Sequence, residues 1–296
     1  MSRDVPVTIA WLGDGAAGEA ALVGGKAASL SRLVAHHAVP PGFVLTACAL
    51  ELAAADLARG EVPAPLRDEI AAAYETLGGG RVAVRSSAVD EDGDAHSFAG
   101  QHETFLNIEG ADAVCESVAL CFASAFSERA LEYRARVGLA VDRIALAILI
   151  QSQVLADASA VVFSANPVTG HLGEIVVNAS YGLGESIVGG TTTPDTLVIR
   201  KSDLEILSRT IGEKRRMTVP VPGGTREVET PELLRNSLAI TDEQAIEIAR
   251  LAVCLEELTG APVDVECALR DGSLYLLQSR PITTLRTASH IDGSTP

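Results

Sequence analysis

The sequence predicts a mixed α/β protein built as two lobes. Helical apolar spacings with short extended runs between them fill the first part of the chain, whereas β-branched and apolar runs bounded by turn residues dominate from residue 143. Of the 296 residues, 47% are hydrophobic and 21% are charged, the composition of a folded chain with a sizeable core. We place the lobes at roughly 1–105 and 106–286 and expect 287–296 to be a flexible tail.

The first half alternates short strands with helices. Thr46 is predicted to cap one helix, Ser127 another, and Gly78 to Gly80 to end a third. The expected elements, in order, are a strand at about 6–12, a helix over "KAASLSRLVAHH", an extended "VPPGFVLT", helices over "ACALELAAADLA" and "PLRDEIAAAYETL", a strand over "RVAVRSSA", and helices at about 112–125 and 127–137.

The second half is predicted to be a sheet with one long helix. That helix begins with a capping box, Thr241 with Gln244. The expected elements are strands over "RIALAILIQSQVL", "SAVVFSAN" and "EIVVNAS", the helix "TDEQAIEIARLAVCLEEL", and a closing β-hairpin over "PVDVECALRDGSLYLLQSRP".

Charge and cysteine usage narrow the classes of function. The formal net charge is −16 and no run of Lys or Arg is present, which argues against a nucleic-acid partner. The five cysteines are irregularly spaced, so we expect no disulfide framework and a reducing compartment. No stretch approaches the ~20 apolar residues of a membrane span, and the N-terminus has no signal-peptide pattern. We therefore expect a cytoplasmic protein without a membrane partner.

Two glycine-rich signals lie near the N-terminus. Gly13, Gly15 and Gly18 spell G-x-G-x-x-G, but no acidic residue follows about 20 positions later, so an NAD site is disfavoured. Gly25–Lys26 also fails the phosphate-loop pattern, because the chain has Ala20 and Ala27 where that motif needs Gly and Ser or Thr. Lys26 itself stands at the start of a predicted helix, where it either attracts phosphate or is an ordinary surface lysine.

A polar loop follows the strand "RVAVRSSA". Arg85 ends that strand, four acids lie between Asp90 and Asp94, and small residues surround Gly100 and Gln101. Small residues let backbone N–H groups approach a phosphate closely. The alternatives are a solvated acidic loop and, for Arg85, a surface ion pair.

The closing hairpin concentrates chemistry on otherwise apolar strands. Asp264 and Glu266 share one face, and so do Gln278 and Arg280. A two-residue turn at Asp271–Gly272 would split the two pairs. A three-residue turn closed by Leu269 and Ser273 would unite them and set Asp264 opposite Gln278, and this is the turn that we predict. The united face would be an oxygen-rich Mg²⁺ site beside an arginine that grips phosphate; a solvent-facing hairpin side is the alternative.

Taken in order, several segments resemble a known family. They are "GGKAASL", "VPPGFVLT", "VAVRSSA…SFAGQHETFLN", "FSANPVTG", "NASYGLGESIVGG" and "DVECAL…LYLLQSRPIT". The chain resembles the N-terminal nucleotide-binding domain of phosphoenolpyruvate synthase, pyruvate phosphate dikinase and rifampin phosphotransferase, which has an ATP-grasp fold. The resemblance covers about residues 20–286 and implies an ATP-dependent phosphotransferase that uses Mg²⁺.

The resemblance also implies roles for single residues. Lys26, Arg85 and Arg280 would hold ATP phosphates and act in catalysis, and the neighbourhood of Gly100 and Gln101 would cover the phosphates. Glu185 would lie near the nucleoside, and the stretch from Gln151 to Val154 would form the adenine hinge. Asp264 would bind the nucleotide, with Glu266 and Gln278 assigned to the metal.

One part of the family pattern is missing. Family members convert ATP to AMP and pass the β-phosphoryl group to a histidine in a Gly-rich Thr-x-His segment of a separate swivelling domain. We expect none of the six histidines to occupy that context. The phosphoryl acceptor is therefore expected to be a phosphohistidine domain of a partner protein. The alternatives are a stand-alone small-molecule kinase and a nucleotide-binding regulatory module without turnover.

Overall fold

Two compact units make up the molecule, seen here in a computed structural model that describes residues 7–89, 104–136, 138 and 144–282. The first unit is Met1–Val154 with Pro220–Arg226, and the second is Leu155–Val219 with Glu227–Pro296. Both combine helices with an antiparallel sheet, so the predicted mixed α/β class is confirmed. The division at Val154 lies beyond the lobe boundary placed near residue 105, and the predicted tail lies outside the described residues.

The first unit is built on a five-stranded sheet. Its elements are β1 (Ile9–Trp11), a short 3₁₀ helix (Gly15–Gly18), α1 (Ala20–Leu33), β2 (Gly42–Leu45), α2 (Ala47–Leu57), α3 (Ala64–Leu77), β3 (Val82–Ala88), β4 (Thr104–Ile108), α4 (Ala111–Ser124), α5 (Glu128–Arg136) and β5 (Leu146–Ser152). The strand order is β1-β2-β5-β3-β4, and neighbouring strands run antiparallel.

Local signals set the ends of these helices as expected. Thr46 Oγ1 accepts a hydrogen bond from Ala49 N at 3.2 Å and starts α2. Ser127 Oγ does the same for Ala130 N at 3.3 Å before α5. Gly78, with φ of 113°, ends α3 in the left-handed conformation that glycine adopts most easily. Apolar residues of α2, α3 and α4 then bury one face of the sheet, including Ile148 and Ile150.

The second unit holds a six-stranded sheet in the order β13-β12-β6-β7-β8-β9. Its elements are β6 (Ala158–Phe163), β7 (Glu174–Tyr181), α6 (Glu185–Val188), β8 (Asp195–Arg200), β9 (Ile206–Thr210), α7 (Glu232–Arg235), α8 (Asp242–Thr259), β12 (Val263–Arg270) and β13 (Ser273–Pro281). The capping box of Thr241 and Gln244 starts α8 as predicted. Alternation along the strands buries one face, with Val162, Val177 and Val265 each fully buried.

A separate two-stranded hairpin was not expected from the sequence, nor were β8 and β9. The hairpin consists of β10 (Arg216–Val221) and β11 (Gly224–Glu229). The two strands of this hairpin contain charged residues and a proline and show little of the alternation that marks a half-buried strand, so the sequence pattern did not predict them.

Two composition-based expectations can be compared with the structure. All five cysteines are free, and three of them are buried. Among the described residues, no helix has the length and apolar character that crossing a membrane requires.

Candidate functional site

Lys26 and Arg85 belong to one constellation in the first unit. Lys26 lies in α1, and its Nζ donates to the carbonyl oxygen of Ser86 at 3.3 Å. Arg85 is the preceding residue of β3 and pairs across the sheet with Leu149. The structure therefore brings the two predicted cations to the same stretch of β3.

A tight backbone approach holds Lys26 against that strand. α1 consists of two helical segments joined by a kink at Gly24, which has φ of 76°. A Cβ on Gly24 would lie 2.0 Å from the carbonyl oxygen of Ser87, closer than two atoms can pack. The next turn is fixed by Ala27 N, which donates to Ser87 Oγ at 3.1 Å. The second of the two glycine signals near the N-terminus thus seats α1 against β3.

The predicted hinge segment, Gln151 to Val154, spans the end of β5. The side chain of Gln151 is buried, and its Nε2 donates to Pro40 O at 3.0 Å, so this side chain supports the "VPPGF" connector. Ser152 N and Gln153 N donate to the carbonyl oxygens of Pro41 and Arg81 at 2.8 and 2.9 Å. Val154 is half-buried and lies outside the strand, and its N–H makes no backbone hydrogen bond within the described residues.

The four polar residues of the closing hairpin do share one face, but by another route than predicted. The turn has two residues, Asp271 and Gly272, both with positive φ, and Arg270 pairs with Ser273. The predicted three-residue turn is therefore wrong. A register shift between Glu266 and Cys267 then leaves Leu277 as an extra residue in β13.

The bulge at Leu277 places the two pairs of polar residues on one face, although a two-residue turn without a bulge would have separated them. Glu266 lies directly opposite Gln278, and Asp264 lies opposite Arg280, rather than opposite Gln278 as expected. Because directly paired residues point to the same side of a sheet, all four side chains share one face. The chemistry foreseen for this face remains, with a different pairing inside it.

Asp264 and Arg280 form the centre of this face. Arg280 Nε and Nη2 both donate to Asp264 Oδ2, at 2.9 and 2.6 Å. The side chain of Asp264 is only 10% exposed, and its Oδ1 is buried with no hydrogen-bond partner among the described residues. Burial raises the pKa of Asp264, an effect that Glu266 reinforces and Arg280 opposes. An ionised Asp264 thus has one oxygen facing an arginine and one oxygen in need of a cation or a donor.

The same face continues with polar residues that sequence analysis did not assign. Glu266 pairs with Val161, Val161 with Asn178, and Asn178 with Thr196. Thr196 Oγ1 donates to Asn178 Oδ1 at 2.9 Å. Asn178 begins the "NASYGLGE" segment, so that segment contained the signal, but only its last residue had been singled out.

Glu185 lies at the start of α6. Its Oε2 is buried and has no hydrogen-bond partner among the described residues, and the same holds for Ser180 Oγ and Ser186 Oγ. Buried polar atoms without partners are costly, which marks these three as candidate ligand contacts.

Two further expectations need comment. Gly100 and Gln101, predicted to cover the phosphates, lie outside the described residues. Thr169, Gly170 and His171 do spell Thr-x-His, which corrects the expectation for the histidines. His171 lies between β6 and β7, where its Nδ1 accepts from Gly173 N at 3.1 Å.

Among the described residues, no three His, Cys, Asp or Glu side chains form a metal cluster; the hairpin face offers two carboxylates and an amide.

Comparison with known proteins gives consistent results. Residues 51–293 match the model of the family "Pyruvate phosphate dikinase, AMP/ATP-binding domain". A probable phosphoenolpyruvate synthase of Methanocaldococcus jannaschii is 36% identical over 94% of this chain and 27% of its own length. An uncharacterized phosphotransferase of Bacillus subtilis, YvkC, is 38% identical over 89% of this chain and 34% of its own. A rifampicin phosphotransferase of a Streptomyces species is 42% identical over 75% of this chain and 26% of its own. The chain thus spans about a quarter to a third of the length of these relatives.

Proposed function

The chain belongs to the pyruvate phosphate dikinase AMP/ATP-binding domain family, and from this premise we propose that it binds Mg²⁺-ATP and donates a phosphoryl group from it. The observation that carries the proposal is the hairpin face, where a bulge rather than the turn brings Asp264, Glu266, Gln278 and Arg280 together. A structural hairpin has no need of a buried carboxylate oxygen without a partner.

Magnesium fits the residues present on this face. Mg²⁺ prefers oxygen ligands and binds through one or two carboxylates together with phosphate oxygens. Glu266 and Gln278 would supply protein oxygens to the ion, and Asp264 Oδ1 would face the nucleotide and its ion. Bound there, the ion would neutralise charge on the phosphates during transfer.

The cations have the complementary role of holding phosphate. Asp264 accepts from two N–H groups of Arg280 and so fixes the direction of the guanidinium, which orients it for a phosphate. In the first unit, Lys26 on α1 and Arg85 on β3 would bind phosphates beside the same stretch of β3. Such a site works by positioning and charge neutralisation and needs no protein nucleophile.

The nucleoside contacts are proposed on the remaining groups. Val154 would meet the adenine base through its backbone, as the hinge position implies. Glu185 Oε2, a buried acceptor without a partner among the described residues, would accept a hydrogen bond from a ribose hydroxyl. The acceptor of the β-phosphoryl group is proposed to be a phosphohistidine domain; the γ-phosphate would pass to water as inorganic phosphate, and AMP would be the nucleotide product.

Calorimetry with ATP, with and without Mg²⁺, tests the proposal. We expect binding that depends on Mg²⁺, and its absence would refute the proposal. Arg280→Ala should weaken binding by about ten- to a hundredfold, and Arg280→Lys by less, since a charged hydrogen bond is worth roughly 1.5–3 kcal/mol. Arg270→Lys is the matched control, because Arg270 lies on the same hairpin and forms exposed ion pairs with Asp157 and Asp271.

A further inference from the structure

We propose that Gln153 and Asn107 are positioning residues that aim the backbone of Val154 and thereby make the site prefer adenine to guanine. This inference rests on the proposed function, since it takes Val154 as the base contact. All the residues in it belong to the first unit, and each link is a hydrogen bond seen in the structure.

Val154 has both a donor and an acceptor to offer. The N–H groups of the two residues before it are used by Pro41 and Arg81. Within the described parts of the chain, the N–H of Val154 has no acceptor, whereas its carbonyl oxygen accepts one hydrogen bond and retains a second lone pair. Adenine presents an acceptor, N1, next to a donor, the 6-amino group. Guanine presents the reverse, a donor at N1 and an acceptor at O6. A residue that offers N–H and C=O together therefore discriminates only if both groups are aimed.

The side chain of Gln153 fixes the direction of the Val154 carbonyl group. Its Nε2 donates to Val154 O at 2.9 Å, and its Oε1 accepts from Asn107 N at 3.3 Å. Asn107 N–H can only donate, so the end of the Gln153 amide that faces it must be the oxygen. The nitrogen end is then directed at Val154 O. The backbone of Asn107 thus decides which way round the Gln153 amide lies.

Asn107 is itself fixed from three directions. Its φ is 59°, and it lies at the register shift between β3 and β4, where Val82 pairs with Ile108 but Val84 pairs with Phe105. That irregularity turns its N–H away from β3 and toward Gln153. Its side chain is buried, and Nδ2 donates to Val221 O at 2.6 Å and to Gly224 O at 2.8 Å.

Those two carbonyl groups flank the Pro222–Gly223 turn of the β10–β11 hairpin. The side-chain amide of Asn107 therefore donates both of its hydrogens to the tip of that hairpin. The chain of contacts runs from the hairpin tip through Asn107 and Gln153 to Val154. A residue about 50 positions before Val154 in sequence is in this way coupled to the proposed base contact.

The inference is tested by calorimetry with Mg²⁺-ATP and Mg²⁺-GTP on the whole chain. The measured quantity is the ratio of the two dissociation constants. Both nucleotides carry the same triphosphate, so changes in phosphate binding or in the folded fraction cancel in the ratio. In Gln153→Glu, a carboxylate oxygen replaces the donor and repels the Val154 carbonyl, so we expect the preference for ATP to fall about tenfold.

Further variants separate charge and folding from positioning. Gln153→Met removes both hydrogen bonds without adding charge and should lower the ratio by about threefold. Asn107→Gly keeps the positive φ but frees the hairpin tip, and we expect a decrease of similar size. Gln244→Glu is the matched control, because a glutamate fills the same capping-box role and adds the same charge elsewhere. Thermal unfolding of each variant identifies any that does not fold.

The outcomes distinguish this inference from the proposed function. A decrease in the ratio for the Gln153 variants with no change for Gln244→Glu supports it. If the wild-type protein binds ATP but the Gln153 variants keep its ratio, or if the wild type does not discriminate, the inference is overturned and Mg²⁺-ATP binding stands. If the wild type binds neither nucleotide, the proposed function fails and the inference fails with it.

Discussion

At the scale of one residue, Asp264, which the proposed function assigns to the nucleotide, carries a charge that costs the fold some stability. Its carboxylate is nearly buried, Arg280 engages only one oxygen, and the net effect of its surroundings is a raised pKa. Since ionisation is disfavoured in the folded state, the charged form lowers the free energy of unfolding. A residue kept for packing alone would not need that charge.

The sign of this effect gives a prediction for Asp264→Asn. The folded-state pKa lies above the ordinary value of 3.8, so the contribution of Asp264 to stability is fully present below that value and is lost as pH rises through the folded-state pKa. An asparagine has no such loss, and its oxygen can still accept from Arg280. We expect Asp264→Asn to melt a few degrees higher than wild type near pH 7, with the difference vanishing toward about pH 4.

Thermal unfolding across this pH range checks the prediction, and calorimetry on the same variant checks its counterpart. Binding of Mg²⁺-ATP should weaken in Asp264→Asn even though the protein is more stable. A melting temperature below that of wild type at neutral pH would show that the pair with Arg280 outweighs the burial of the charge.

At the scale of elements, α1 depends on one glycine. Gly24 needs a positive φ and also lies where a Cβ would overlap the backbone of Ser87. By contrast, a Cβ on Gly15 or Gly18, both in the G-x-G-x-x-G pattern, meets nothing within 4 Å. Of the glycines in that pattern, Gly13 has a positive φ of 95°, so only the second and third lack a steric requirement here.

This contrast predicts different outcomes for two alanine variants. Gly24→Ala should destabilise the protein by more than the ~1–3 kcal/mol that this glycine-only backbone conformation costs an L-residue, because β3 must also move. It should also displace Lys26 and weaken Mg²⁺-ATP binding. Gly18→Ala should stay within about 0.5 kcal/mol of wild type, like other surface substitutions. Urea unfolding of both variants measures this, and equal effects would contradict it.

The closing hairpin marks how far sequence reasoning reaches for a single element. The strands and the four polar residues could be predicted, because alternation and residue type are local. The turn and the pairing could not, since "RDG" suits either of two turn lengths and a bulge at Leu277 has no signature of its own. The turn is one residue shorter than predicted, and the unforeseen bulge adds one residue back. The shared face was therefore predicted correctly, whereas the pairing within it was not. The link from Asn107 to Gln153 could not have been foreseen, because it joins residues 46 positions apart.

At the scale of the whole molecule, the sequence predicts the class of architecture and the family, but it does not identify the phosphoryl acceptor. The mixed α/β architecture and the membership in an ATP-binding family follow from ordered motifs that span most of the chain. The chain spans only 26–34% of the length of the relatives named above, and the place of the phosphoryl acceptor in the proposed reaction is a matter for experiment. The histidines of the chain provide a way to test where the acceptor lies.

We expect the chain alone, incubated with Mg²⁺ and ATP labelled in the β-phosphate, to acquire no acid-labile phosphohistidine. Of its described histidines, only His171 follows Thr-x, and its ring is held by Gly173 in a short connection rather than carried on a separate domain. Addition of a phosphohistidine domain produced from one of the relatives should transfer label to that domain and release AMP. Label on the chain alone that disappears in His171→Ala would place the acceptor within this chain and overturn the proposal of a separate acceptor. Release of ADP instead of AMP would point to an ordinary kinase.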